Sequence, residues 1–333
     1  MKPWMVLVDR TAVLFLGVAA GIAIGLAFAY GGQPWPQGSP AVETQATQAS
    51  PPAASPPRPA GTPAADTGQQ AMGHPATAGL PVQQPGVSEY TAPFQQQLLD
   101  TIAKGGKVRV GVFGDSFGDG VWAALYRQLP AKANFQVVKY SQQSTGFTRY
   151  ASLNIEEHTA QQLATDGPVD IAVISFGAND TQGVWTGGKA AALLSPAWKQ
   201  VIGGRAAGLV NLLRARGATV YWVGLPRMRK DSFDADIQGM NSFYAEQMRQ
   251  LGVPFIDTLP LSVDEKGGYA PYLPDGPEGK RTLMRANDGI HMSMIGYVRI
   301  TRGLAERIRN YVQAARDFAA KGAPDTQQQA SIS

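Results

Sequence analysis

Three short segments hold the residue types that acyl transfer needs. The first, GDSFGDG at residues 114–120, sets Asp115 and Ser116 among glycines directly after an apolar run. Glycine belongs where a backbone turns sharply or lies close to something else. A serine delivered there is either a helix cap or a presented nucleophile. The second, GAND at 177–180, ends another apolar run. The amide of Asn179 can donate to a developing oxyanion; equally, Asn and Asp close turns on their own backbone. The third, NDGIHMSMIGY at 287–297, places Asp288 three residues before His291. A serine nucleophile needs a base, and the base needs an orienting carboxylate. The chain has only three histidines. His74 lies in a proline- and alanine-rich stretch, and His158 in NIEEHTAQQ has the setting of a solvated helix face. His291 is the well-placed base, with a helix-capping histidine as the alternative.

These segments need elements that bring them together. Residues 107–113, 135–140, 169–176, 218–225 and 253–258 read as five apolar strands. Residues 117–129, 196–217, 237–252 and 296–315 read as helices, the second opening on proline and closing on glycine. Continuous apolar strands alternating with helices predict a parallel sheet covered on both faces. In such folds the sites sit outside the carboxyl ends of the strands. Ser116 and Asn179 fall at two of those ends.

Taken in this order, GDSFGDG, GAND and DGIH resemble the SGNH (GDSL-like) hydrolase superfamily over about residues 105–315. The resemblance implies a flavodoxin-like three-layer α/β/α sandwich with a five-stranded parallel sheet, and attack on an acyl ester through an acyl-enzyme. It makes Ser116 the nucleophile, His291 the general base and Asp288 its orienter. Asn179 and the backbone N–H of Ser116 would form the oxyanion hole, with a glycine N–H from the loop after the second strand. Gly146 in SQQSTGF is the candidate for that glycine. Phe117 stands where the superfamily usually has leucine. Gly114-x-Ser116-x-Gly118 also fits the nucleophile elbow of α/β-hydrolases. That fold places its nucleophile after several strands, whereas here one strand precedes Ser116.

Before the domain, residues 11–30 form a stretch of twenty without a charge, the length that spans a bilayer core. Lys2 and Arg10 precede it, and no Lys or Arg follows until Arg58. The positive-inside rule then puts the rest of the chain outside the cytoplasm. An uncleaved inner-membrane anchor is one reading; a signal peptide cut near Ala29 is the other. Gly17, Gly21 and Gly25 share one helix face, either a helix-dimer contact or simply small residues. Residues 31–93, rich in Pro, Ala and Gln, read as a disordered linker, and 319–333 as a tail. The expected location is the periplasm, with a domain over 94–318.

Composition narrows the function further. There are no cysteines, which excludes disulfides, thiolate metal sites and a cysteine nucleophile. A net charge of +4 without basic runs gives no support to nucleic-acid binding. Gly183-x4-Gly188-Lys189 mimics a P-loop, but Ala190 stands where Ser or Thr is required. Asp231, Asp234 and Asp236 lack the spacing of a metal loop. Neither a metal nor a cofactor is expected.

A tethered, exported domain points to an acylated envelope glycan or lipid as substrate; the sequence sets no oligomeric state. Trp185 either stacks on a sugar face or packs in the core. Arg227, with Arg229 and Lys230 in GLPRMRK, either meets an anionic substrate or belongs to a solvated loop. Asp115 completes the candidate substrate contacts, and Trp222 reads as core. Esterase is the first reading, acyltransferase with the same triad the second, and a non-catalytic envelope scaffold or glycan-binding module the third.

Overall fold

The computed structural model describes residues 94–322. The expected span at 11–30, the linker at 31–93, His74 and most of the expected tail lie outside the described residues. The chain enters through α1 (Gln96–Ala103), β1 (Val108–Gly114), α2 (Ser116–Gln128) and β2 (Phe135–Lys139). Then follow α3 (Ile155–Asp166), β3 (Ile171–Ser175) and a short hairpin, β4 (Val184–Thr186) with β5 (Lys189–Ala191). Next come α4 (Pro196–Ala215), β6 (Thr219–Val223), α5 (Asp231–Gln250) and β7 (Phe255–Ile256). A second hairpin, β8 (Tyr272–Asp275) with β9 (Lys280–Leu283), leads to the last helix, α6 (Met294–Gly322).

The main sheet has the order β2-β1-β3-β6-β7 with every pair parallel. Counted along the chain, that is the flavodoxin-like order 2-1-3-4-5, whose direction reverses between β1 and β3. Strand alternation divides the core into two layers. Val108, Val110 and Val112 of β1, Ile171 and Val173 of β3 and Tyr221 and Val223 of β6 pack with α1, α2 and α6. Phe113, Ala172, Ile174, Val220 and Trp222 point the other way, toward α3, α4 and α5. Trp198, Trp222 and Leu213 are fully buried in that second layer. Each aliphatic side chain so buried contributes about 1.5–3 kcal/mol.

Local chemistry sets the helix ends. Asn154 caps α3 by accepting from the N–H groups of Glu156 and Glu157. Ser195 caps α4, which has Pro196 in its first turn. The helix expected from 237 begins at Asp231, six residues earlier, because Asp231 and Asp234 favour the positive end of the helix dipole. α6 runs through 319–322, which the sequence reading gave to the tail. The P-loop mimic falls in the β4–β5 hairpin, with Gly187 and Gly188 at positive φ forming its turn. Among the described residues no helix is long and apolar enough to cross a membrane.

Candidate active site

The chain reversal beside β1 brings the carboxyl ends of β1 and β3 next to each other, and a third loop arrives from the far end of the sequence. Ser116 is the first residue of α2, immediately after β1. Its Oγ lies 2.8 Å from His291 Nε2, across 175 residues of chain. His291 Nδ1 lies 2.6 Å from Asp288 Oδ2. The other oxygen of Asp288 accepts from the N–H groups of Ile290 at 2.8 Å and His291 at 2.9 Å. Partial burial opposes ionisation of Asp288, but the bond from the imidazole and those two N–H groups outweigh it and hold its carboxyl at about 2. An ionised carboxylate only accepts, so Nδ1 carries the proton and Nε2 offers its lone pair to the Ser116 hydroxyl. The three residues that the sequence selected are therefore brought into one hydrogen-bonded relay.

Phe117, buried beneath the site, stacks on the His291 ring at 5.2 Å between centroids and 22° between planes. Its other side meets Tyr297 of α6 edge-on at 5.9 Å. The imidazole is thus fixed by packing as well as by Asp288. A leucine at 117 would fill space but offer no ring face.

Asn179 occupies a short turn after β3, beside the start of α2. Its Nδ2 donates to the Thr145 carbonyl at 2.9 Å and lies 3.5 Å from Asp115 Oδ2. Gly146 follows in the same loop, and a Cβ there would sit 2.5 Å from Asp180 Oδ1. That close approach accounts for the glycine. Asp180 is itself buried and accepts from the N–H groups of Phe147 at 3.0 Å and Thr148 at 2.7 Å, and from the Thr148 hydroxyl at 2.7 Å. The turn after β3 and the loop after β2 are locked together through one carboxylate.

Of the three candidate substrate contacts, the structure corrects one and gives a second a partner of its own. Asp115 has no solvent exposure; its Oδ1 accepts from Phe117 N–H at 2.8 Å, capping α2. Burial pushes its carboxyl up to about 7; the N–H groups of Phe117 and Gly177 oppose the rise and the nearby Asp180 charge adds to it. Arg227 pairs with Asp234 at 2.6 Å and donates its own N–H to Ser262 Oγ at 2.9 Å, so it braces the loop after β6. The third, Trp185, is on β4 and 72% exposed, which rules out the core alternative for that residue. Trp222 is fully buried. His158 is half-buried on α3 rather than fully solvated.

The sequence reading gave no positioning role to the groups that hold the site: Phe117 against the imidazole, Asp180 across two loops, and Arg229 and Arg285 around the Asp288 loop. Arg229 Nη1 and Nη2 donate to the carbonyls of Asn287 and Asp288, each at 3.0 Å. Arg285 is buried and donates to the carbonyls of Arg227 and Ile290. Asp180 had a signal, its place directly after Asn179. The two arginines had none, because their partners are backbone carbonyls.

No curated protein matches the chain. Among solved structures, an aryl esterase of M. smegmatis is 18% identical, with 61% of this chain and 99% of that chain covered and a TM-score of 0.44. A carbohydrate acetylesterase from Sinorhizobium meliloti is 16% identical over 61% and 99%, with a TM-score of 0.43. The periplasmic domain of a lipopolysaccharide acetyltransferase of Salmonella ser. Paratyphi A is 11% identical over 64% and 94%, with a TM-score of 0.46. A family model matches residues 109–307, from the first strand to the last helix, and the chain belongs to that family, described as "Protein of unknown function (DUF459)".

Proposed function

We propose that this chain is a serine esterase that hydrolyses short acyl esters through an acyl-enzyme. The relay from Ser116 Oγ to His291 Nε2 at 2.8 Å and from Nδ1 to Asp288 at 2.6 Å carries the reading. His291 takes the hydroxyl proton as Ser116 Oγ attacks the ester carbonyl. The Ser116 N–H and Asn179 Nδ2 face the oxyanion, with the N–H of Gly146 as the candidate third donor. The imidazolium then gives its proton to the departing alcohol. Water, deprotonated by His291, attacks the acyl-enzyme and releases the acid and the free serine. Asp288 stays ionised throughout and steadies the imidazolium.

The side chains of His291 and Asp288 are 33% and 44% exposed. Solvent therefore reaches the base, which favours water over a sugar hydroxyl as acceptor. A cleft of about 630 Å³, lined by Tyr272, Arg281 and Arg299 among others, contains none of the triad. An open triad suits a small acyl group presented on a large substrate. The uncharged stretch at 11–30 supports an envelope glycan or lipid as that substrate, reached from the membrane surface. Trp185, exposed on the hairpin that follows Asn179, offers a face for a sugar ring.

Incubation with p-nitrophenyl acetate followed by intact-mass measurement tests the chemistry. One acetyl group on Ser116 is expected, and none on Ser116→Ala. Turnover should fall by about 10⁴-fold or more in Ser116→Ala and His291→Ala. Undiminished hydrolysis by pure Ser116→Ala would refute the assignment.

A further inference from the structure

The residues from Arg285 to Met292 form a closed loop. Arg285 and Met292 face each other in an antiparallel bridge, and Ala286 N–H donates to the His291 carbonyl at 2.9 Å. Asp288 and His291 project from it. Phe117 and the core packing of Met292 support this loop from the sandwich, and two guanidinium groups hold its backbone carbonyls.

On the outer side, exposed Arg229 donates to the carbonyls of Asn287 and Asp288, and its N–H donates to the Gly289 carbonyl at 3.0 Å. Gly289 has φ 74°, and a Cβ there would lie 2.6 Å from the Arg229 side chain. The loop is bent around that arginine. On the inner side, Arg285 is 1% exposed. Its guanidinium joins the Ile290 carbonyl at 3.3 Å to the Arg227 carbonyl, contacts the sulfur of Met292, and lies 4.9 Å from the centre of the Tyr269 ring. Among the described residues no carboxylate pairs with it within 4.0 Å. A buried charge without a counter-ion is unfavourable for stability. An apolar side chain would fill the same space more cheaply, but it could not hold two carbonyls from separate loops.

Building on the serine-esterase reading, we infer that Arg229 and Arg285 act as positioning residues, an inner and outer bracket that fixes the Asp288–His291 loop in register with Ser116. The imidazole must approach the hydroxyl within hydrogen-bond reach, and displacements near 1 Å lower rates about 10²-fold. The bracket acts on turnover, with ground-state binding of substrate left alone.

The test uses the full chain with Arg229→Ala, Arg229→Lys, Arg285→Lys and Arg285→Met. Four quantities are read: kcat and KM on p-nitrophenyl acetate, the rate of Ser116 labelling by a fluorophosphonate, and the proton resonance of His291 Nδ1–H. Arg229 is exposed, so Arg229→Ala should keep the melting temperature of the parent. It should lose kcat and labelling rate by roughly 10-fold or more at unchanged KM, with the resonance shifted or broadened. Arg229→Lys should recover part of the loss, since an ammonium reaches one carbonyl and not two. Arg285→Lys should retain more than Arg285→Met. Labelling, kcat and resonance of Arg229→Ala all matching the parent would overturn the bracket, even where Arg285→Met fails to fold. If the parent itself is never labelled, the esterase reading fails. The bracket is then judged on the resonance alone.

Discussion

Asn179 is surrounded by groups that compete for its amide. One proton goes to the Thr145 carbonyl, and Asp115 stands 3.5 Å away on the other side. To stabilise an oxyanion, the amide must present a proton to the substrate, so these neighbours set its aim. Asn179→Ala should lower kcat by about 10²–10³-fold with little change in KM, measured on p-nitrophenyl acetate. Asp115 couples the same spot to pH. Its carboxyl moves from an ordinary 3.8 to about 7 on burial. Folding therefore takes up a proton in that interval, and stability falls as pH rises from about 4 to about 7, then stays level. The shift corresponds to about 4 kcal/mol for a fully buried group. Serine also caps helices but does not titrate. Urea unfolding across pH should show Asp115→Ser gaining on the parent by about 2–4 kcal/mol between pH 4 and pH 7.5. Parallel stability curves for the two proteins would refute this. Asp288 has the opposite sign: its stabilising effect is present at neutral pH and lost as pH falls toward about 2.

At the scale of elements, α2 and α6 must touch closely because α2 carries Ser116 and α6 follows directly on the loop that carries His291. Gly120 makes that possible, since a Cβ there would lie 2.0 Å from the Tyr297 ring. Gly120→Ala should push Tyr297 away, loosen Phe117 under the imidazole, and destabilise the fold by about 1–3 kcal/mol. Chemical denaturation measures the stability, and fluorophosphonate labelling reads the displaced His291. The elements themselves were unevenly legible. All five expected apolar runs contain a strand of the main sheet, since parallel strands buried on both faces read as continuous apolar runs, whereas the flavodoxin-like arrangement was implied by the resemblance alone. α1 was not anticipated because its exposed face is glutamine-rich, and only Leu98 is fully buried. The β4–β5 and β8–β9 hairpins were missed because three- and four-residue strands show no periodicity. Ser116, Asp288 and His291 stood out because their types are chemically demanding and histidine is scarce. Asp115 was misread as a substrate contact because its burial depends on segments far away in sequence, here the turn after β3 with Gly177 and Asp180.

At the scale of the molecule, the two core layers of the described residues run from Phe94 to Ala315. The relay, the Asn179 turn and both bracketing arginines fall in the same interval. A chain restricted to residues 94–322 should therefore fold and hydrolyse p-nitrophenyl acetate with kcat/KM within roughly twofold of the full chain, because small soluble esters need only the triad. A membrane-bound acylated substrate should behave differently. If residues 11–30 hold the full chain at the bilayer, the tether keeps the triad at a high effective concentration near that substrate. Deacylation of envelope-derived vesicles by the full chain should then exceed that of residues 94–322 by about 10²-fold at equal protein. The comparison is made with both proteins on the same vesicles, scoring released acid. Equal rates on vesicles, alongside equal rates on the small ester, would detach the first ninety-three residues from substrate access and leave the substrate class to be read from the open mouth around Ser116 and Trp185 alone.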